Sequence, residues 1–146
     1  MERPVNVFFY GSYMNFTVLK EVAINRRVFE VGRINGYELT ISPLANLRPK
    51  KDGVAYGILT QLVHSELDRL YQDHAKGKLG GNYLPEAVIV DQQSRTYTAA
   101  LCYISHDMVE GKADPAYVDR ILKPATEYGL PEWYVSHIKS FKSGGA

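Results

Sequence analysis

The sequence contains a single cysteine, Cys102, among 146 residues. That excludes an intrachain disulfide and any zinc site built on clustered thiolates, and it fits a reducing interior. No apolar run approaches the length needed to span a bilayer. Charge of either sign is scarce in excess: 17 basic against 16 acidic residues leave a formal +1. Such a balance gives no field to draw in nucleic acid or an anionic membrane. His64, His106 and His137 are scattered and match no metal-ligand spacing, so no metal is expected. Met1-Glu2-Arg3-Pro4 leads straight into an apolar stretch, which leaves no room for a signal peptide and predicts a cytoplasmic protein. Repeats and low-complexity tracts are absent. What is plentiful is tyrosine: eleven, against five phenylalanines and one tryptophan. Tyrosine brings apolar area with a hydroxyl at its rim, which suits either a polar small-molecule pocket or a core boundary.

The chain is organised around Val5-Asn6-Val7-Phe8-Phe9-Tyr10-Gly11-Ser12-Tyr13-Met14-Asn15. An apolar strand breaks at Gly11-Ser12, and a helical pattern follows from Met14 to Ile24. Glycine admits a ligand to the backbone, and first-turn N–H groups lack partners, so the turn suits a carboxylate; an ordinary tight turn has the same pattern. Val28–Ile34 and Tyr37–Ile41 read as strands joined by a hairpin turn at Asn35-Gly36. Residues 45–52 read as an exposed loop. Val54–Leu59 is a further strand, in which Gly57 signals a bulge or a close backbone approach. Ser65, with Asp68 three residues on, reads as the cap of a helix that puts Leu67, Leu70, Tyr71 and His74 on one face. After the glycine-rich segment 76–82 come two more strands, Tyr83–Val90 and Thr96–Ile104. Asp114-Pro115 opens a helix that Pro124 kinks or shortens, and Pro131 opens the last one. The pattern predicts a single α+β domain over 1–146, with about six strands and three to four helices.

Phe9-Tyr10-Gly11-Ser12 resembles the Tyr-Gly-Ser signature of the gamma-glutamylcyclotransferase family and its AIG2-like relatives, with Tyr13 where Asn usually follows. The likeness continues through residues 31–39, 53–59 and Gly81-Asn82-Tyr83, and through Ala125-Thr126-Glu127-Tyr128-Gly129-Leu130-Pro131 with Trp133-Tyr134. The resemblance implies a curved mixed sheet or small barrel flanked by helices, with a pocket for a gamma-glutamyl group on the loop after the first strand. It also implies a chemistry that needs no cofactor. The α-amine of a gamma-glutamyl amide attacks its own γ-carbonyl, releasing 5-oxoproline and the amine. Such a reaction needs a carboxylate clamp, a base for the α-ammonium and donors for the tetrahedral oxyanion.

On that resemblance Tyr10, Gly11, Ser12, Tyr13 and Met14 form the substrate-binding turn, and Tyr83, Tyr103 and Tyr117 are pocket tyrosines. The family glutamate lies in a Leu-Asp-x-x-Glu-Gly pattern. Matched to Leu70-Tyr71-Gln72-Asp73-His74-Ala75, that position holds His74, and the carboxylate is missing. His74 is expected to point inward and Asp73 outward; Glu86 is a third candidate for the acid–base role. A histidine can take and return a proton at neutral pH, yet an inward one can equally be a core residue. Cys102 lacks a visible partner base, and Ser12 lacks the Gly-x-Ser-x-Gly elbow of a nucleophile. The expected function is cyclisation of a gamma-glutamyl or similar substrate. The alternative is a non-catalytic small-molecule binding or interaction protein on the same fold. Trp133 and Tyr134 could pair two chains as a homodimer or pack on their own.

Overall fold

A computed structural model describes residues 2–143. Five strands close into a barrel in the order β1-β3-β2-β4-β5. They are β1 (Val5–Phe9), β2 (Glu30–Ile41), β3 (Ala45–Leu62), β4 (Leu84–Gln92) and β5 (Tyr97–Ile104). Neighbours run antiparallel except β1 and β5, whose parallel contact at Val7↔Leu101 shuts the barrel. Val7, Phe8 and Phe9 are all buried. A strand covered on both faces needs no polar alternation, which is why β1 ends in three consecutive apolar residues. Gly57 makes the close approach its position suggested: a Cβ there would lie 2.1 Å from the Phe9 carbonyl oxygen.

Two expectations for the β2–β3 region are corrected. Asn35-Gly36 is not a hairpin turn. The strand passes through it, with Gly36 at φ 88°, and the pairing slips from Asn35↔Val54 to Tyr37↔Pro49. Lys50 to Gly53 form the bulge opposite, so 45–52 is largely strand and not loop. Ala45 and Leu47 are buried while Arg48 and the lysines are exposed. That alternation is too short to stand out beside three charged residues in a row.

The helices cover the barrel. After a 3-10 turn at Ser12–Met14 comes α1 (Phe16–Glu21), so the helix expected over 14–24 is shorter, starting two residues later and ending three residues earlier. Asn15 caps α1 by accepting from the Thr17 N–H at 2.9 Å. Next, α2 (His64–Asp68) runs directly into a π-helix, Arg69–Leu79. Its cap differs from expectation, because Glu66, not Asp68, reaches back to accept from the Val63 N–H at 3.0 Å. Ser65 instead donates to Glu2. Glu66 also pairs with Arg27, which holds its carboxyl below the usual range.

In α3 (Pro115–Glu127), Asp114 caps the first turn as expected. Pro124 does not end this helix, although it has no N–H to give the Arg120 carbonyl. The Asn15 side chain donates to that carbonyl at 3.0 Å instead. The last helix is α4 (Glu132–Ser140), in which Tyr134 is buried against Tyr56 while Trp133 stays exposed. Among the described residues, no helix is long and apolar enough to cross a membrane.

Candidate functional site

The site lies where β1 ends. Two long-range hydrogen bonds pin the turn that follows: Asn15 to the Arg120 carbonyl, and the Tyr128 hydroxyl to the Met14 carbonyl at 3.0 Å. The Met14 N–H donates to the Gly11 carbonyl at 3.1 Å, so Met14 offers a ligand nothing and is itself fully buried. The N–H groups of Gly11, Ser12 and Tyr13 find no partner among the described residues. Gly11 is required here, since a Cβ would lie 2.8 Å from the Ala45 Cβ. Three consecutive unpaired donors are suited to a carboxylate.

Tyrosines wall the cavity above this turn. Tyr10, Tyr13, Tyr83, Tyr103 and Tyr117 line it as the sequence suggested, joined by Tyr71, Ala75 and Leu79 from the π-helix. Most of their hydroxyls are committed. Tyr10 donates to the Tyr103 carbonyl and Tyr83 to the Ala45 carbonyl, both at 2.6 Å. Tyr117 accepts from the Ala45 N–H at 3.0 Å. Tyr71 and Tyr103 have no side-chain hydrogen bond among the described residues. Their rings stack at 3.8 Å with 9° between planes. This stack fills the space, leaving a cavity of about 30 Å³, room for ordered water only.

The three acid–base candidates lie elsewhere. Asp73 is exposed. Glu86, on β4 opposite Cys102, meets the exposed His106 at 3.2 Å and does not line the cavity. His74, expected to point inward, is half-buried behind Tyr13 and does not itself line the cavity. The π-helix has a wider turn than an α-helix, and the inward face that begins at Leu67, Leu70 and Tyr71 continues at Ala75. The Tyr13 hydroxyl donates to the Leu70 carbonyl at 2.8 Å and lies 2.9 Å from His74 Nδ1. Since that carbonyl can only accept, Nδ1 carries the proton and Nε2 the lone pair. Desolvation lowers the His74 pKa, with nearby Glu21 opposing it.

Sequence reasoning missed Tyr71 as a site residue, and the signal was present. Leu67-Asp68-Arg69-Leu70-Tyr71-Gln72 supplies both the leucine and the aspartate of the Leu-Asp-x-x-Glu-Gly pattern; the frame starting at Leu70 supplies only the leucine. In this frame the glutamate position is Tyr71, and Tyr71 is the residue that faces the turn.

Burial raises the phenol pKa of Tyr10, Tyr71 and Tyr83 far above the ordinary value, and that of Tyr13, Tyr103 and Tyr117 with them. It pushes the Cys102 thiol up to about 12. At neutral pH the wall is therefore uncharged, able to donate hydrogen bonds but holding no proton acceptor poised near that pH. No three His, Cys, Asp or Glu side chains converge as metal ligands among the described residues.

A family model described as the AIG2-like family matches residues 54–138, more than half of the chain. The chain belongs to the AIG2-like family. No curated protein gives a significant match to the sequence. Among solved structures, the chain is similar to a Homo sapiens protein described as uncharacterized, at 22% identity and a TM-score of 0.75, over 95% of this chain and 88% of that one. A gamma-glutamyl cyclotransferase is similar at 20% identity and 0.75, over 94% and 88%. A yeast cyclotransferase described as specific to glutathione is similar at 9% identity and 0.65, over 97% and 96%. At such identities the likeness establishes the fold: the AIG2-like chain has the gamma-glutamylcyclotransferase-like barrel with its flanking helices.

Proposed function

We propose that this AIG2-like protein binds a gamma-glutamyl or related amino-acid carboxylate in the tyrosine-lined pocket without cyclising it. The observation that carries the reading is Tyr71, a stacked neutral phenol where the family pattern has a glutamate. The free N–H groups of Gly11, Ser12 and Tyr13 supply the clamp, and the hydroxyls of Tyr71 and Tyr103 are free to donate. The base is what the pocket lacks. A buried phenol with a raised pKa cannot take a proton from an ammonium group near neutral pH. Binding also requires the Tyr71–Tyr103 stack to part, because the cavity is smaller than any amino acid.

Titrating gamma-glutamyl-alanine into 15N-labelled protein tests the binding half. The expected result is saturable shifts at the Gly11, Ser12 and Tyr13 amides. Shifts confined to other surfaces, or none, would refute it.

A second reading has one observation in its favour, the hydrogen bond between Tyr13 and His74. With the imidazole protonated at Nε2 instead, and the Tyr13 hydroxyl turned from the Leu70 carbonyl to donate to Nδ1, a proton could pass from the substrate's α-ammonium through that hydroxyl to His74, restoring cyclisation with His74 as the ultimate base. That reading predicts 5-oxoproline release that Tyr13→Phe and His74→Gln each abolish while ligand binding persists.

A further inference from the structure

A second cavity, of about 550 Å³, lies between the β2–β4 seam and the α3–α4 step. It is within the range of small-molecule sites, and it shares no lining residue with the tyrosine pocket. One wall is the seam itself, paired only at Gly32↔Gln92 and Arg33↔Asp91. The other is Gly129-Leu130-Pro131, the step between the helices. Its aromatic surfaces are Tyr56, braced edge-on by Tyr134 at 5.1 Å, and Tyr97, which is 69% exposed. Its charged groups are Arg33, Asp91 and Arg95. Arg33 Nε binds Asp91 Oδ2 at 3.2 Å, so those two satisfy each other. Glu30, which accepts from Gln92 and Ser94, lines a different groove.

Arg95 has no ion pair among the described residues. It closes the β4–β5 hairpin, donating from its N–H to the Gln92 carbonyl at 2.9 Å, with φ at 65°. This is the left-handed position that glycine normally fills. An arginine there strains the backbone, and Arg95, exposed and without an ion pair among the described residues, lines a cavity with two aromatic faces.

We propose that this groove binds a planar ring bearing a phosphate, of the size of a nucleoside monophosphate. The ring stacks on Tyr97 and Tyr56, and Arg95 takes the phosphate oxygens in its planar fork. A dianion is favoured because Arg95 sits at an exposed rim, where pairing with a single charge contributes little.

Trp133 provides the readout. It is the only tryptophan, and its ring lies 6.1 Å from Tyr56. Titration with AMP, adenosine and inorganic phosphate, followed by Trp133 fluorescence, should give saturable binding of AMP. Adenosine and phosphate should each bind roughly tenfold or more weakly. Arg95→Gly should weaken AMP by a similar factor while leaving the melting temperature unchanged or higher, which a structural role would not do. Saturating gamma-glutamyl-alanine should leave the AMP curve in place. No response to millimolar AMP, equal binding by Arg95→Gly, equal binding of phosphate alone, or competition by gamma-glutamyl-alanine would each overturn the proposal. A negative result here leaves the tyrosine pocket's reading untouched.

Discussion

The Gly11–Asn15 turn and the π-helix Arg69–Leu79 face each other across one pocket, and they differ in what they retain of the family pattern. The turn keeps Tyr-Gly-Ser, its three unpaired N–H groups and two hydrogen bonds that tie it to α3 and to the segment after it. The π-helix keeps the leucine and aspartate of its pattern but presents Tyr71, where the pattern has glutamate. On the proposed reading, clamp and base belong to separate elements, so that one can change without disturbing the other. Retaining a fold does not retain its chemistry.

The sharpest test of this contrast adds the missing group to the π-helix. Tyr71→Glu puts a carboxylate opposite the clamp and removes one ring of the stack, which also widens the cavity. We expect 5-oxoproline release from gamma-glutamyl-alanine to rise by about 10²–10⁴-fold, the usual contribution of a positioned general base. If the folded variant binds the substrate and releases nothing above background, position 71 is not where the two elements differ.

Breaking the turn instead should cost stability. Asn15→Ala removes the α1 cap and strips the Arg120 carbonyl of the donor that replaces the absent Pro124 N–H. The combined loss should be about 2–4 kcal/mol in denaturant unfolding; a loss below ~0.5 kcal/mol would show that the turn is held by something else. Gly11→Ala should be milder, about 1–3 kcal/mol from overpacking against Ala45. Its larger effect should be on gamma-glutamyl-alanine binding, measured by the same amide shifts.

The smallest effect concerns His74. Its pKa is lowered in the folded protein, so on acidification the unfolded chain takes up the proton first. Stability from this group is complete above the unfolded value of about 6.5 and is lost as pH falls through it toward the lower folded value. His74→Gln keeps a donor for Tyr13 and should flatten this part of the pH–stability curve. Parallel curves for the two proteins would show that His74 is not desolvated as described.

Much of the turn could be read directly from the sequence. An apolar run ending in Tyr-Gly-Ser marks a buried strand entering a constrained backbone, and Gly57 announced the contact with Phe9. The Asp114 cap was also legible, and Tyr83, Tyr103 and Tyr117, named from the family resemblance, line the cavity. The π-helix was not, because helical periodicity assumes the α-helical turn and puts His74 on the inner face. A wider turn moves that position to Ala75, and no local residue signals the change. The Gly36 slip and the Lys50–Gly53 bulge escaped for a related reason: a bulge looks like a turn until the partner strand's register is known.

One measurement bears most directly on binding without cyclisation. Gamma-glutamyl-alanine labelled with 13C in the glutamyl group is incubated with the wild-type protein and followed by NMR. The account predicts substrate signals that broaden or shift in proportion to protein, with no 5-oxoproline appearing above the protein-free control. Steady growth of 5-oxoproline at a rate proportional to protein would contradict it and return the cyclotransferase activity to this chain.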